Sequence, residues 1–270
     1  MPVAFFVRRD YMLRMRTTSF NFDDVLRPYL PGLVCLVGGG GKTTLLYALG
    51  DALGTVEAPV LCTTTTRIFP PTAGQCPAVL VTTAPQKIKA PQGIRFFCAA
   101  RPAPADSDKL MGFTLEELTY LTKKRPDRIG LIEADGAAHR PIKAPAEHEP
   151  VIPAITRAVV AVLGLSGLGR AMTEDFVFRP ERVAAITGLA PGEICTPEAA
   201  ARLFLHPNGL FQHTPSGAER FVFLNQADLP GAAEAGKKLA KLILQGDPKI
   251  RGVHIGAVAV EGLRCTQILP

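Results

Sequence analysis

Four consecutive glycines followed by a lysine and two threonines are the residues of this chain best suited to binding phosphate. They are Gly38, Gly39, Gly40, Gly41, Lys42, Thr43 and Thr44. Glycines leave backbone amides unobstructed by a Cβ atom, and the amides at a helix N-terminus favour negative charge. A lysine suits the β- and γ-phosphates, and a threonine hydroxyl suits Mg²⁺. We therefore assign all seven to nucleotide binding, with Lys42 also catalytic and Thr43 also metal-binding.

The segments on either side of this glycine loop (residues 38–44) support the assignment. Residues 33–37 predict an apolar strand, and the apolar pattern of residues 42–53 predicts a helix. Strand, glycine turn and helix in this order are typical of a P-loop. The standard motif would place glycine where this chain has Leu36. The loop instead resembles the variant P-loop of the signal-recognition and metallochaperone GTPase class, with Val37 in place of its additional lysine, and also the loop of the Mur ligases.

Two carboxylates, Glu133 and Asp135, end the apolar strand predicted from residue 128. P-loop enzymes use a carboxylate at such a position to hold Mg²⁺. Because side chains alternate along a strand, the two acids share a face if the strand continues that far. We expect Asp135 to hold the metal, and Glu133 either to share it or to orient a water molecule. Both are candidate catalytic and metal-binding residues.

The next segment, residues 137–153, contains four prolines, which exclude a regular helix or a central strand. We expect it to lie over the terminal phosphate of a nucleotide. Arg140 is a candidate catalytic residue, and both it and Lys143 suit phosphate or an anionic substrate. His139, Glu147 and His148 are tentative substrate residues. Glu147, His148 and Glu149 are also candidates for acid–base work or metal binding. The alternative is a solvated charged connector.

Four threonines and an arginine, residues 63–67, follow a second strand predicted at residues 59–62. In parallel sheets, ligands bind at the carboxyl ends of the strands. Thr65 and Arg67 are therefore tentative substrate residues, although the β-propensity of threonine offers a simpler explanation. Cys62 ends the same strand and is the cysteine we single out among six.

A third polar motif, Asn225-Gln226-Ala227-Asp228, follows a strand predicted at residues 221–224. It resembles the N-K-x-D motif of guanine recognition, with Gln226 replacing the lysine. In that motif the aspartate accepts from guanine N1 and N2 hydrogens, which adenine cannot supply. We assign Asn225 and Asp228 to recognition of the base.

Composition sets limits on the class of protein. The chain has 270 residues, of which 47% are hydrophobic, and a net charge of +6. Its basic residues are scattered, which argues against nucleic-acid binding, and no apolar run is long enough to cross a membrane. The six cysteines form no C-x-x-C pair, as expected for reduced thiols in the cytoplasm. Residues 1–20 lack the pattern of a secretory signal and are interpreted as a tail.

The order of predicted strands and helices indicates one α/β domain over residues 21–270, P-loop NTPase-like, with a mostly parallel sheet flanked by helices. Residues 137–215 would form a loop-rich insertion. We expect residues 78–82 and 95–99 to pair as a hairpin. Helices are predicted at 22–30, 114–124, 197–206 and 232–246, and the last strand at 253–260.

Five segments together resemble the bacterial P-loop accessory proteins of selenium-dependent molybdenum hydroxylases, also described as selenium cofactor biosynthesis proteins. The segments are VGGGGKTT at 37–44, TTTTRIFPP at 63–71, LIEADGAAHRPIKAPAEHEPVIP at 131–153, RPERV at 179–183 and FLNQAD at 223–228. The resemblance implies a cytoplasmic nucleotide-binding factor that helps to place selenium or to mature the molybdenum cofactor. Its partners would be a molybdenum hydroxylase or a cofactor-loading protein, and Cys62 would be a candidate for handling sulfur or selenium.

Three functions remain open from the sequence. The first is a maturation factor that hydrolyses GTP with Mg²⁺. The second is an ATP-dependent kinase or ligase acting on a small anionic selenium or cofactor precursor. The third is a scaffold that binds its partner under the control of GTP or ATP without hydrolysing it.

Overall fold

One large sheet with helices on both faces forms the fold, in a computed structural model that describes residues 15–20, 22–259 and 262–268. The strands are β1 Met15–Phe20, β2 Gly32–Gly38, β3 Val60–Thr64, β4 Arg67–Ile68, β5 Val79–Val81, β6 Phe96–Ala100, β7 Leu110–Met111, β8 Ile129–Glu133, β9 Ile142–Lys143, β10 Thr156–Gly164, β11 Val177–Phe178, β12 Glu219–Asn225, β13 Ile250–Ala259 and β14 Gly262–Ile268. The helices are α1 Phe22–Leu26, α2 Lys42–Leu53, α3 Leu115–Lys124, α4 Pro180–Thr187, α5 Pro197–Leu205 and α6 Ala232–Gly246.

The main sheet has ten strands in the order β1-β14-β13-β12-β10-β2-β8-β3-β6-β5. The eight strands from β13 to β5 in that order run parallel, whereas β14 and β1 are antiparallel to their neighbours. The predicted fold class, a mostly parallel sheet flanked by helices, is confirmed. From β2 the chain moves to β3 on one side, and later to β10 and β12 on the other. The glycine loop therefore leaves the sheet where the strand order reverses, the usual position of ligands in such sheets.

The central strand β2 contributes side chains to two separate cores because successive residues of a strand point to opposite faces. Leu33, Cys35 and Val37 are buried in the core that α3, α5 and α6 cover. Val34 and Leu36 are buried in the core that α1 and α2 cover. Burial of both faces explains why β2 and β10 are continuous apolar runs.

Several predicted elements are present and others differ. Helices α2 and α6 occupy the predicted residues, and Thr114 caps α3 in the predicted capping box with Glu117. The hairpin expected at residues 78–82 and 95–99 is wrong, because β5 pairs with β6 in parallel. The strand expected to be last is followed by β14.

The two segments set apart in the sequence both contribute strands to the sheet. Of residues 1–20, interpreted as a tail, residues 15–20 form β1 and pair with β14, and residues 1–14 lie outside the described part of the chain. Residues 137–215, interpreted as a loop-rich insertion, include β10. This strand lies in the middle of the sheet between β2 and β12. Among the helices described, none has both the length and the apolar character needed to span a membrane.

One buried polar side chain has no evident role in a site. His254 on β13 is fully buried, with its ring 4.7 Å from that of Phe22 and 6.4 Å from that of Phe221. Neither ring nitrogen has a hydrogen-bond partner among the described residues. Burial lowers the pKa of His254 to about 3, so the folded protein keeps this ring neutral.

This histidine should make the protein less stable in mild acid. The unfolded chain binds a proton at His254 below about pH 6.5, whereas the folded chain does not bind one until much lower pH. The unfolded state therefore holds more protons in this range, and the free energy of unfolding falls as pH decreases. We expect His254→Leu to remove about 2 kcal/mol of the loss between pH 7 and pH 5. Urea denaturation at both pH values measures this, with the exposed His148→Leu as the control; equal losses in both variants would contradict the argument.

Candidate functional site

Three of the four glycine amides anchor the loop to its surroundings. The amide of Gly38 donates to both carboxylate oxygens of Asp135, at 3.1 and 3.0 Å. The amide of Gly39 donates to the carbonyl of Val162 at 2.9 Å, and that of Gly40 donates to the carbonyl of Arg140 at 3.0 Å. The first three glycines thus fix the position of the loop against β8, β10 and the segment after Asp135.

Glycine is required at Gly40 by both backbone conformation and space. Its φ is 79°, in the left-handed region, and a Cβ atom there would lie 2.2 Å from the amide nitrogen of Gly164. The side chain of Asn225 holds the other side, donating from Nδ2 to the carbonyl of Gly40 at 2.8 Å. Its Oδ1 accepts from the amide of Val258 at 3.1 Å. Asn225 therefore braces the loop against the end of β13.

The remaining donors belong to the start of α2. The first amides of a helix have no acceptor within it, and Gly41, the N-cap residue, supplies no side-chain acceptor. Gly41 has a φ of 113°, which turns the chain directly into the helix. These amides and the positive end of the helix dipole form a ready anion-binding site.

Lys42, the first residue of α2, is buried and folded back over the loop. Its ammonium donates to the carbonyl of Gly38 and lies 3.2 Å from Oδ1 of Asp135 and 3.8 Å from Oε1 of Glu133. Burial by itself would lower the pKa of Lys42, but the two carboxylates outweigh it, and the pKa is raised. Lys42 is therefore charged and held within the site.

Thr43 contacts Glu133 and not Asp135. Its hydroxyl donates to Oε2 of Glu133 at 2.6 Å. Glu133 is the last residue of β8 and lies beside Leu36 of β2. Burial raises the pKa of Glu133, and the neighbouring Lys42 and the Thr43 hydroxyl partly oppose that shift.

Asp135 lies two residues beyond Glu133 and has a different set of contacts. It is fully buried, and besides the Gly38 amide and Lys42 it has the ammonium of Lys143 2.8 Å from its Oδ2. Its oxygens therefore hold the loop and two lysines. Of the two acids predicted to bind the metal, Glu133 is the one that contacts the threonine hydroxyl.

The proline-rich segment 137–153 packs directly against the glycine loop and delivers Lys143 to the site. Lys143 is buried, donates to the carbonyl of Gly136 at 2.7 Å, and lies 3.0 Å from Oε2 of Glu149. Arg179, at the start of α4, holds both oxygens of Glu149, at 2.5 and 3.3 Å. Burial would raise the pKa of Glu149, but Arg179 and Lys143 lower it to about 2.

These contacts form one connected charge cluster of three cations and three carboxylates. Its members are Lys42, Lys143, Arg179, Glu133, Asp135 and Glu149. With each member at its usual charge the cluster sums to zero, and contact between opposite charges offsets part of the cost of burying them. Arg179 is not among the residues predicted for the site, although it opens the segment RPERV at 179–183 and precedes the proline that begins a helix.

The other residues predicted in segment 137–153 are nearer the surface. The ring of His139 stacks on Phe69 with centroids 5.6 Å apart. The side chain of Arg140 donates to the carbonyl of Glu174. Of the three residues at 147–149, Glu147 and His148 are exposed and Glu149 is buried.

The remaining predicted residues lie along the same edge of the sheet without entering the charge cluster. Thr65 donates to the carbonyl of Val151 at 2.8 Å, which ties the threonine run to segment 137–153. Arg67 is exposed on β4, and Thr44 is exposed on the first turn of α2. Asp228 is exposed three residues after Asn225, accessible to a ligand.

Cys62 lies apart from this edge. Its side chain is fully buried beneath α2, where the thiol contacts the carbonyl of Leu46. Burial raises the pKa of Cys62 well above its usual range, so the thiol stays protonated. A buried, protonated thiol is a poor nucleophile, which argues against the candidate role in handling sulfur or selenium.

Comparison with known proteins gives a family match. The model of the family described as YqeC protein matches residues 34–181. The "Uncharacterized protein YqeC" of Escherichia coli (strain K12) is 35% identical over 228 residues, covering 84% of this chain and 88% of that protein. A crystal structure of the hydrogenase maturation factor HypB from Archaeoglobus fulgidus aligns with 87% of this chain and 86% of its own, at 12% identity and a TM-score of 0.39. So low a TM-score supports no conclusion about the site.

Proposed function

The chain belongs to the YqeC family, and we propose that it binds a purine nucleoside triphosphate with Mg²⁺ at the glycine loop. The observation that carries this proposal is the 2.6 Å hydrogen bond from the Thr43 hydroxyl to Glu133. It brings the first turn of α2 and the end of β8 together beside the buried Lys42. A P-loop protein needs its threonine, its acidic residue and its lysine in this relation.

The phosphates would bind at the N-terminus of α2. The uncapped amides of the first turn would donate to the phosphate oxygens, and Lys42 would turn from the carbonyl of Gly38 to the β- and γ-phosphates. Gly38, Gly39 and Gly40 would act mainly by shaping the loop, since their amides already have acceptors in the protein.

The donor atoms at the site suit Mg²⁺. The hydroxyl of Thr43 and the carboxylate of Glu133 are hard oxygen ligands, which Mg²⁺ prefers. No group of three or more His, Cys, Asp or Glu able to hold a metal exists among the described residues. Mg²⁺ itself takes few protein ligands and completes its shell with phosphates and water. When bound, Mg²⁺ would neutralise part of the phosphate charge.

The proposed reaction is hydrolysis of the nucleotide, with catalysis by positioning and electrostatics. Lys42 would stabilise charge on the phosphates, and Glu133 would hold the metal or orient the attacking water. Asp135 and Lys143 would keep the loop and Lys42 in position through their contacts with Gly38 and with each other. Arg140, whose carbonyl accepts from Gly40, would contribute mainly through its backbone.

The proposed biological role is an accessory factor in the maturation of selenium-dependent molybdenum hydroxylases or of their cofactor, acting in the cytoplasm. This part rests on the resemblance of the five sequence segments. Turnover that depends on a second small anion would instead favour transfer of the phosphoryl group, and nucleotide-dependent binding of a hydroxylase without turnover would favour a scaffold.

The most direct test of the nucleotide assignment is to measure guanine selectivity and its dependence on Asp228. We expect the protein to bind GTP at least tenfold more tightly than ATP in the presence of Mg²⁺. We expect Asp228→Ala to weaken GTP binding by about tenfold or more, since hydrogen bonds to a charged group are lost, with little effect on ATP. Isothermal titration calorimetry measures both affinities.

The matched control for this experiment is Asp106→Ala, which removes another exposed carboxylate in a loop of the protein. It should leave both affinities unchanged. Equal affinities of the unmodified protein for GTP and ATP would rule out guanine selectivity, and failure to bind either would remove the proposed function itself.

A further inference from the structure

A cavity of about 660 Å³ lies outside the charge cluster. It is open to solvent on one side and is bordered by the turn that follows β10 and by the N-terminal ends of α5 and α6. Its surface is mostly apolar and includes Leu168, Ile194, Leu229 and Ala235. Ile194 and Leu229 are large apolar side chains left exposed at its edge. A cavity of this size and composition is typical of small-molecule sites.

The charged residues of the cavity favour an anion. Two cations, Arg170 and Lys238, contribute to its lining, against one acid, Glu198. Lys238 pairs with Glu198 at 2.6 Å, which leaves Arg170 without an acidic partner among the described residues. The guanidinium carbon of Arg170 lies 5.4 Å from the ring centroid of Phe176, and the described residues give this side chain no hydrogen bond or ion pair. Its five N–H donors therefore remain available to a carboxylate, sulfonate or phosphate.

The cavity is separated from the glycine loop. The loop leads into α2, which covers one face of the sheet, whereas α5 and α6 cover the other. The wall between them contains Gly164, against which Gly40 lies, and a hydrogen bond from the amide of Ser166 to Oε1 of Gln226 at 3.3 Å. Gln226 thus shapes the cavity side of this wall.

We propose that this cavity is a second ligand site, which takes a small organic molecule with an apolar body and one anionic group bound by Arg170. The apolar body lies against Leu168, Leu229 and Ala235. The site does not depend on the nucleotide proposal, because no residue of the charge cluster lines it.

A fluorescent probe with this chemistry tests the proposal on the full chain. The probe 1-anilinonaphthalene-8-sulfonate has apolar rings and one sulfonate, and we expect one saturable site on the folded protein. Ala235→Trp fills the cavity and should abolish that binding. Ala233→Trp, an exposed position two residues earlier on the same helix and outside the cavity lining, is the matched control and should bind normally.

A second variant tests the contact with the anionic group, and its result is valid even if Ala235→Trp does not fold. Arg170→Gln should weaken binding of the sulfonate probe by about fivefold, since a charged hydrogen bond is lost at an exposed side chain. Binding of N-phenyl-1-naphthylamine, which has the same rings without the sulfonate, should not change. Equal effects on both probes would overturn the assignment of the anion to Arg170.

Three further outcomes would overturn the site. The first is sulfonate binding that Ala235→Trp leaves intact, and the second is absence of sulfonate binding by the unmodified protein. The third is competitive displacement of the probe by GTP or ATP, which would make the cavity part of the nucleotide site. Binding of the probe by a protein that binds no nucleotide would support this inference while removing the proposed function, so the two failures are distinguishable.

Discussion

A Lys42→Met variant is expected to lose at least a hundredfold in affinity for nucleoside triphosphate. Lys42 has only 3% of its surface exposed, and its ammonium donates to the carbonyl of Gly38 in the glycine loop. Methionine keeps most of the length and volume but not the charge, so the phosphates lose a charged donor. Removing one partner of a buried charge contact costs about 2–5 kcal/mol, which corresponds to this loss. Calorimetric titration with GTP and Mg²⁺ measures it.

The control for this variant is Lys237→Met, on the exposed side of α6, where the ammonium pairs with Glu234 at 3.2 Å. That variant should bind nucleotide normally. Circular dichroism should show that both variants are folded, because Lys42→Met leaves Glu133 and Asp135 with one cation fewer. Unchanged affinity in a folded Lys42→Met protein would place the phosphates elsewhere.

The second large effect is expected on stability, from Asp135→Asn. The carboxylate is fully buried and accepts from the Gly38 amide while it balances Lys42 and Lys143. Asparagine has the same shape, but it leaves the two buried lysines with one carboxylate fewer and turns an amide donor toward other donors. We expect the free energy of unfolding to fall by about 3–5 kcal/mol. Urea denaturation at neutral pH measures this change.

The matched control replaces an exposed carboxylate by the same amide. Asp127→Asn removes a surface ion pair with Arg125 at 3.1 Å, in which both side chains are more than half exposed. Surface pairs contribute about 1 kcal/mol or less, so its stability should hardly change. A similarly small loss of stability in Asp135→Asn would contradict the argument, because it would mean that this buried carboxylate does not stabilise the folded protein.

The strand, loop and helix of the glycine loop could be predicted because their signals are local. An apolar run, four glycines and the apolar period of residues 42–53 each lie within one short stretch. The capping box of Thr114 and Glu117 is local in the same sense, and the structure has it. Local patterns determine where an element begins and ends, and the position of α2 follows from them.

Pairing direction and side-chain partners depend on contacts between distant residues and could not be predicted in the same way. The parallel pairing of β5 with β6 is set by the whole sheet. Arg179 contacts Glu149 across 30 positions of sequence. Neither segment contains a local pattern that predicts the other as its partner. The different contacts of Glu133 and Asp135 depend on where β8 ends, because Asp135 lies two residues beyond the strand and the alternation of side chains no longer applies to it.

The orientation of Cys62 could have been predicted from the alternation of side chains along its strand. Side chains alternate along β3, so Cys62 and Thr63 must face opposite sides of the sheet. Cys62 is buried in the core beneath α2, whereas Thr63 donates to the carbonyl of Ala99 at 2.7 Å. The strand also continues two residues beyond Cys62, to Thr64, so the thiol does not lie at the ligand edge.

The balance of three cations and three carboxylates beside the glycine loop has a consequence for selectivity among anions. An electroneutral wall offers little long-range attraction to a free polyanion, because the fields of its members cancel beyond a few ångströms. A ligand whose own charge is largely compensated by a divalent counter-ion loses less by approaching it. If the glycine loop binds a nucleotide as proposed, this balance would favour a metal-complexed polyphosphate over a bare one.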